Sequence, residues 1–201
     1  MVNENNTHAV DLTALKRGDK HAFTLLVETH SDNIYRLALK MLGDEQDAED
    51  VLQETFIKAF KNIQGFEGRS KVSTWLYRIA VNESLMLLRK RKGVTVDIDQ
   101  EFETDEGELM PRQITDWCCV PEKELMSGET RQVIDQAIQT LSDANRAAFL
   151  LRDVEGLSTQ DAAEVLSISE SALKLRLMRA RMALREILTG YFADKMQSKV
   201  R

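Results

Sequence analysis

The stretch Leu157-Ser-Thr-Gln-Asp-Ala-Ala-Glu-Val-Leu-Ser-Ile-Ser-Glu-Ser-Ala-Leu-Lys-Leu-Arg-Leu-Met-Arg-Ala-Arg-Met-Ala-Leu-Arg185 decides the fold. Ser158 is placed to cap a short helix, and Asp161 stands three positions on as a weaker form of the capping-box acid. Ala162, Ala163 and Leu166 then face inward, the two alanines being small enough for a second helix to cross closely. Ser167-Ile168-Ser169 reads as the turn, with Ile168 as a buried plug and Ser169 as the next cap. Glu170 takes the first helical position, where a negative charge suits the helix dipole. The pattern predicts a helix-turn-helix.

On a helical wheel of about 100° per residue, Leu173, Leu177, Ala180, Leu184 and Ile187 fall within about 80° of one another and form the core stripe. Lys174, Arg181 and Arg185 lie on one flank and Arg176 and Arg179 toward the other, leaving Leu175, Met178 and Met182 pointing away from the core. Lys174 to Arg185 holds five cations and no acid. Two positive margins around an exposed strip fit a helix in the major groove, with the margins on phosphates and the strip on base edges. A solvated amphipathic helix is the plainer alternative, but the capped short helix just before it favours duplex DNA.

The formal net charge of the 201 residues is -6, which is unexpected for a DNA binder until it is divided along the chain. Residues 1–93 hold 14 basic and 13 acidic side chains, and residues 129–201 hold 11 and 10. The acidity lies between them, where residues 94–128 carry 10 acids against Arg112 and Lys123. Each flanking block can therefore present a basic face. The expected architecture is all-α: a helical domain over 1–93, an acidic flexible linker over 94–121 broken by Gly107, Pro111 and Pro121, and a helical domain over 122–201 that contains the helix-turn-helix.

In the first block, apolar residues from Leu12 to Met41 recur at helical spacing, with Gly18 and Gly43 as breaks. The run Asp47 to Phe60 sets Ala48, Val51, Leu52, Thr55, Phe56 and Ala59 on one broad stripe and Glu49, Asp50, Gln53 and Glu54 opposite. That polar side is either an acidic docking face or a solvated surface ordered by the dipole. A loop follows from Gln64 to Lys71, and then a helix opening near Ser73 that ends in Arg89-Lys-Arg-Lys92. Phe66, Trp75 and Tyr77 can stack on exposed bases, and Arg69, Lys71 and Arg78 can hold a strand, although an aromatic at helical spacing such as Trp75 is more often core. Glycines flanking Phe66 favour its exposure.

The cysteines, Cys118 and Cys119, are adjacent, so no disulfide framework is expected and the default setting is reducing and cytoplasmic. The N-terminal residues lack the order of a signal peptide, and no apolar run approaches about 18 residues. No metal-ligand spacing, phosphate loop or catalytic set is found, so no cofactor and no enzymatic activity are expected.

Three stretches in order then carry a resemblance: Asp47-Ala-Glu-Asp-Val-Leu-Gln-Glu-Thr-Phe56; Ser73-Thr-Trp-Leu-Tyr-Arg-Ile-Ala80 continuing to Asn82; and Glu155-Gly-Leu-Ser through Arg176-Leu-Met-Arg-Ala-Arg181. From about Asp11 to Leu188 the chain resembles a bacterial alternative sigma factor of the extracytoplasmic-function group, a dissociable subunit of RNA polymerase. The resemblance implies docking of Glu49, Asp50, Gln53 and Glu54 on the clamp helices of the polymerase beta-prime subunit, with further contact to the beta subunit. It implies recognition and melting of the promoter -10 element, with capture of a non-template base, by Phe66, Arg69, Lys71, Trp75, Tyr77, Arg78 and Asn82, and backbone contact by Arg89, Lys90, Arg91 and Lys92. It implies duplex reading of the -35 element by Ser171, Lys174, Leu175, Arg176, Met178, Arg179 and Arg181. The acidic linker would thread the polymerase channels, and an anti-sigma factor, often membrane-bound in the family, would mask both domains. Departures from the family pattern are Met86 for an acid, Ser167 for a turn glycine and Leu175 for a small polar residue. A helix-turn-helix regulator that never joins polymerase, and a sigma-like adaptor, are the competing readings.

Overall fold

The computed structural model describes residues 11–93 and 128–199. The linker expected over 94–121, with Cys118 and Cys119, lies outside the described residues, as does the start of the helix expected from Glu122. Among the described residues every regular element is helical.

Helix α1 spans Leu12–Lys16, α2 Lys20–Leu42, α3 Glu45–Asn62 and α4 Val72–Arg91. Short-range caps set their starts: the carboxylates of Asp11, Asp19 and Asp44 each accept backbone N–H groups of the first turn. Helix α2 stops at Gly43, whose φ of 71° is left-handed and whose N–H donates to the Leu39 carbonyl at 2.8 Å. A side chain there would be strained and would also meet Gln139, 3.2 Å from the Cβ position. A 3-10 turn, Ile63–Gly65, leads into the loop before α4. Leu26, Ile34, Leu37 and Met41 of α2 pack with Ala48, Val51 and Ala59 of α3 and Leu76, Ala80, Val81 and Leu85 of α4.

The second block is built from α5 Gly128–Thr140, α6 Asp143–Phe149 continued by a π-helical turn Leu150–Val154, α7 Thr159–Leu166 and α8 Glu170–Lys199. Leu150, Leu151, Ala162, Val165, Leu166, Leu173, Leu177, Ala180 and Leu184 are buried at its centre. The wheel's core stripe is therefore observed except at Ile187, which is exposed. At about 1.5 Å per residue α8 is about 45 Å long, and it outruns the short helices it packs on.

The two blocks share one continuous apolar core. Arg146, on α6, is buried and joins them: its guanidinium donates to the carbonyls of Met41 at 2.5 Å, Ile138 at 3.1 Å, Gln139 at 2.6 Å and Leu141 at 3.0 Å. Lys40 meets Asp135 at 2.7 Å, and the Gln139 amide donates to the Lys40 carbonyl at 2.7 Å.

The turn of the helix-turn-helix forms as its serines suggest. Ser158 Oγ accepts from the Asp161 N–H at 3.0 Å and donates to the Asp161 carboxylate at 2.6 Å, and Ser169 Oγ accepts from the Ala172 N–H at 3.2 Å. Ser167 has φ 53°, the one left-handed residue other than glycine among the described residues. Its Cβ makes that conformation unfavourable. Ser167→Gly is expected to raise stability by about 0.5–1 kcal/mol, because relief of this strain exceeds the greater chain entropy of glycine. The melting temperature should rise by about 1–4 °C in thermal denaturation; a fall would mean that the serine side chain supports the turn.

Candidate nucleic-acid interface

Helix α8 presents the face that its sequence predicts. Leu175, Met178 and Met182 are exposed, and Ser171, Lys174, Arg181 and Arg185 are exposed beside them, with Arg179 half-buried. Lys174, Met178, Arg181, Met182 and Arg185 line an open groove of about 590 Å³ with Arg152 and Thr159 from the preceding elements. Arg152 was not among the residues expected from sequence. It belongs to the π-helical turn, which no local periodicity signals, and that turn brings its cation beside α8. Arg181 is held from behind by a bidentate pair with Asp153, at 2.7 and 2.8 Å, which raises its pKa further above the ordinary value.

Arg176 departs from expectation. It is only 8% exposed and lies at the edge of the core, where burial first and the neighbouring Arg179 second lower its pKa. The reason is angular: position 176 lies about 40° from Ala180 on the wheel, closer to the buried stripe than to the exposed strip. Its guanidinium is turned inward, away from the face that Lys174 and Leu175 present.

On the first block, Phe66, Arg69, Trp75 and Arg78 line one shallow cavity of about 410 Å³ with Asn62, Gly65 and Glu164. Four of the residues expected to handle a melted strand thus converge. Phe66 is buried, against the exposure its flanking glycines suggest, because its ring lies on Trp75 with centroids 5.0 Å apart; Trp75 itself is half-buried. Tyr77 faces elsewhere. It is buried, and its hydroxyl donates to Glu155 at 2.7 Å; burial first, then that carboxylate, hold the phenol well above its ordinary pKa. Lys71, Asn82 and Lys90 are exposed, and Arg69 pairs with Glu67 at 2.6 Å. Arg91 is paired with Asp47, Lys92 meets Asp143 at 2.6 Å, and Arg89 is half-buried.

The α3 face is also as expected, with Glu49, Asp50 and Gln53 exposed and Glu54 half-buried beside Lys58. It extends further than the acidic residues indicated: Ile57 is 44% and Phe60 53% exposed, Phe60 standing edge-on to Phe23 with centroids 5.0 Å apart. The available signal was positional, since both fall four and seven residues after Gln53 on the polar side of the stripe. Among the described residues no group of three or more His, Cys, Asp or Glu side chains could hold a metal ion, and no helix is long and apolar enough to cross a membrane.

Comparison with known proteins agrees with both halves. The model for sigma-70 region 2 matches residues 26–94 and that for sigma-70 region 4 matches residues 131–184. The ECF RNA polymerase sigma factor SigW of Bacillus subtilis is 39% identical over 174 residues, 87% of this chain and 92% of that protein. Among solved structures, CnrH in complex with the cytosolic domain of CnrY aligns over 92% of this chain and 99% of its own, at a TM-score of 0.66 and 24% identity. The sigma factor RpoE of Bartonella quintana, crystallised with the anti-sigma factor NepR, aligns over 83% and 96% at a TM-score of 0.60 and 25% identity. With a relative of this identity spanning both blocks, the chain belongs to the extracytoplasmic-function group of the sigma-70 family of RNA polymerase sigma factors.

Proposed function

We propose that this chain gives core RNA polymerase its promoter specificity and begins strand separation, acting by binding alone and catalysing nothing itself. The observation that carries the reading is the pairing, in one chain, of a basic groove on a helix-turn-helix with a cavity of aromatic and arginine side chains on a separate helix. Duplex reading and strand capture need different chemistry. The first needs cations on phosphates and a strip against base edges; the second needs stacking surfaces and a cationic rim.

In this reading residues 1–93 serve polymerase docking and the -10 element, and residues 122–201 serve the -35 element. Lys174, Arg179 and Arg181 seat the duplex backbone while Leu175, Met178 and Ser171 meet base edges. A base leaving the -10 stack is received at Phe66 and Trp75, with Arg69, Lys71 and Arg78 on the strand and Asn82, Lys90 and the other cations of Arg89–Lys92 alongside. Stacking of about 1–3 kcal/mol per base offsets the cost of unpairing. The α3 face from Glu49 to Phe60 docks on the beta-prime clamp. The likeness to RpoE, whose crystal partner is an anti-sigma factor, supports a similar protein partner for this chain.

Transcription in vitro with purified core polymerase and a genomic promoter library tests the reading. Initiation at defined promoters is expected; output no greater than core alone would overturn it, and stable polymerase-independent binding to symmetric operators would favour a regulator. Within a responding promoter, Leu175→Ser is expected to shift base preference in the -35 element by about 1–2 kcal/mol at one position, as an apolar contact to a thymine methyl predicts. Unchanged preference in a selection from randomised -35 sequences would place Leu175 off the bases.

A further inference from the structure

A carboxylate stands beside the basic groove of α8. Asp153 accepts from Arg181 Nε at 2.8 Å and from Nη2 at 2.7 Å, next to the surface that Arg152, Lys174, Arg181 and Arg185 line. DNA phosphates repel such an acid, and a pair whose arginine is 57% exposed adds little to stability. Neither the fold nor general attraction to DNA therefore accounts for it. The backbone that carries it is fixed: Leu150 and Leu151 seat the π-helical turn in the core, and the Glu155 N–H donates to the Leu150 carbonyl at 2.8 Å. The carboxylate holds the guanidinium side-on, through Nε and one hydrogen of Nη2. The Nη1 donors and the second Nη2 hydrogen stay available, and together they form the end edge of the fork that grips phosphate oxygens. Seen from a distance the pair is neutral, so it draws DNA no closer in general. What it offers is a set of donors at one fixed place, which a phosphate satisfies in one position of the duplex.

We propose that Asp153 is a positioning residue for reading of the -35 element: it fixes Arg181 as a phosphate clamp that sets the register of α8 in the major groove. The clamp raises discrimination between sequences rather than affinity for DNA at large. The inference rests on the promoter-binding reading and adds to it a residue that itself touches no DNA. Lys174, exposed in the same groove, does the other part of the work by attracting any duplex toward α8. Phosphate contacts carry no sequence information of their own, but they decide where the strip of Leu175, Met178 and Ser171 meets the base edges. Loss of the clamp therefore blurs preference along the whole -35 element, whereas loss of a base contact such as Leu175 changes it at one position.

The test uses the full chain assembled with core polymerase. A promoter fragment whose -35 window the parent has selected from random sequence competes with the same fragment carrying that window scrambled, and the ratio of the two affinities is the readout. Asp153→Asn is expected to lower the ratio roughly three- to tenfold, the cost of ordering one long side chain on binding. Affinity for the scrambled fragment should rise with the freed charge, and its slope in log affinity against log salt should steepen by about 0.9. Asp153→Glu keeps a carboxylate within reach of the arginine and should retain most of the ratio. In an Arg181→Met background, Asp153→Asn should change the ratio no further. An unchanged ratio in Asp153→Asn overturns the proposal, as does a fall in Asp153→Glu as deep as that in Asp153→Asn. So does a fall that persists in the Arg181→Met background, which would make Asp153 a support of the turn alone. A parent that selects a sequence and a variant that reads it equally well reject the clamp and leave the promoter reading standing. A parent that selects no sequence rejects the promoter reading, and the clamp with it.

Discussion

Arg146→Met is expected to lower the stability of the full chain by about 3–5 kcal/mol, one of the largest effects a single substitution can have here. The guanidinium is 6% exposed and donates to four main-chain carbonyls, those of Met41, Ile138, Gln139 and Leu141. These carbonyls close the C-terminal ends of α2 and α5, where the helix dipoles and the missing intrahelical donors both call for a cation. Burial lowers the pKa of Arg146 and Asp143 raises it, but four acceptors keep the charge satisfied. Methionine fills much of the volume and donates nothing, so buried carbonyls lose their partner at about 1–3 kcal/mol each, with part regained from water. Urea denaturation should give the loss directly, and the melting temperature should fall by about 10 °C. A loss under about 1 kcal/mol would show that water replaces the guanidinium. Because Met41 belongs to one block and Ile138 to the other, the variant is also expected to broaden unfolding toward two transitions.

Nothing near Arg146 in the sequence marks it out from a solvated cation, and this is the general limit of what could be read beforehand. The helix-turn-helix was legible because its determinants are local: serines at caps, alanines at a crossing, a turn of three residues. The exposed strip Leu175, Met178 and Met182 followed from angle alone, and the structure leaves all three exposed. The wheel sets Arg176 and Arg179 together on one flank, yet Arg176 lies about 40° from Ala180, near enough to the buried stripe to be only 8% exposed. The glycines flanking Phe66 suggest an outward ring, whereas the ring packs with Trp75, nine residues on, and joins the core. The contact between blocks was illegible for the same reason. Tyr77–Glu155 and Arg78–Glu164 join residues 78 and 86 positions apart, across an acidic segment with no periodicity.

Ile57→Ala/Phe60→Ala is expected to weaken binding to core polymerase by about 2–4 kcal/mol, roughly 30- to 1,000-fold, while leaving the fold intact. Both side chains stand on the exposed face of α3, four and seven residues beyond Gln53, in line with Asp50. An isoleucine and a phenylalanine about half exposed beside carboxylates have the composition of an interface centre: apolar anchors that gain from desolvation, and a polar rim that fixes register. In the free chain each has already forfeited much of its burial, so truncation should cost stability less than about 1 kcal/mol. The Phe60 ring loses its edge contact with Phe23. Binding of the variant to an isolated -35 duplex should be unchanged, because α8 is untouched. Competition titration against labelled parent chain measures the polymerase affinity, and thermal denaturation measures the fold. Affinity within threefold of the parent, at unchanged melting temperature, would remove these residues from the docking face and leave it to the acids alone. In that case Asp50→Asn/Glu54→Gln should carry the whole loss and make it steeply dependent on salt, since exposed charges are screened over about 8–10 Å at physiological ionic strength.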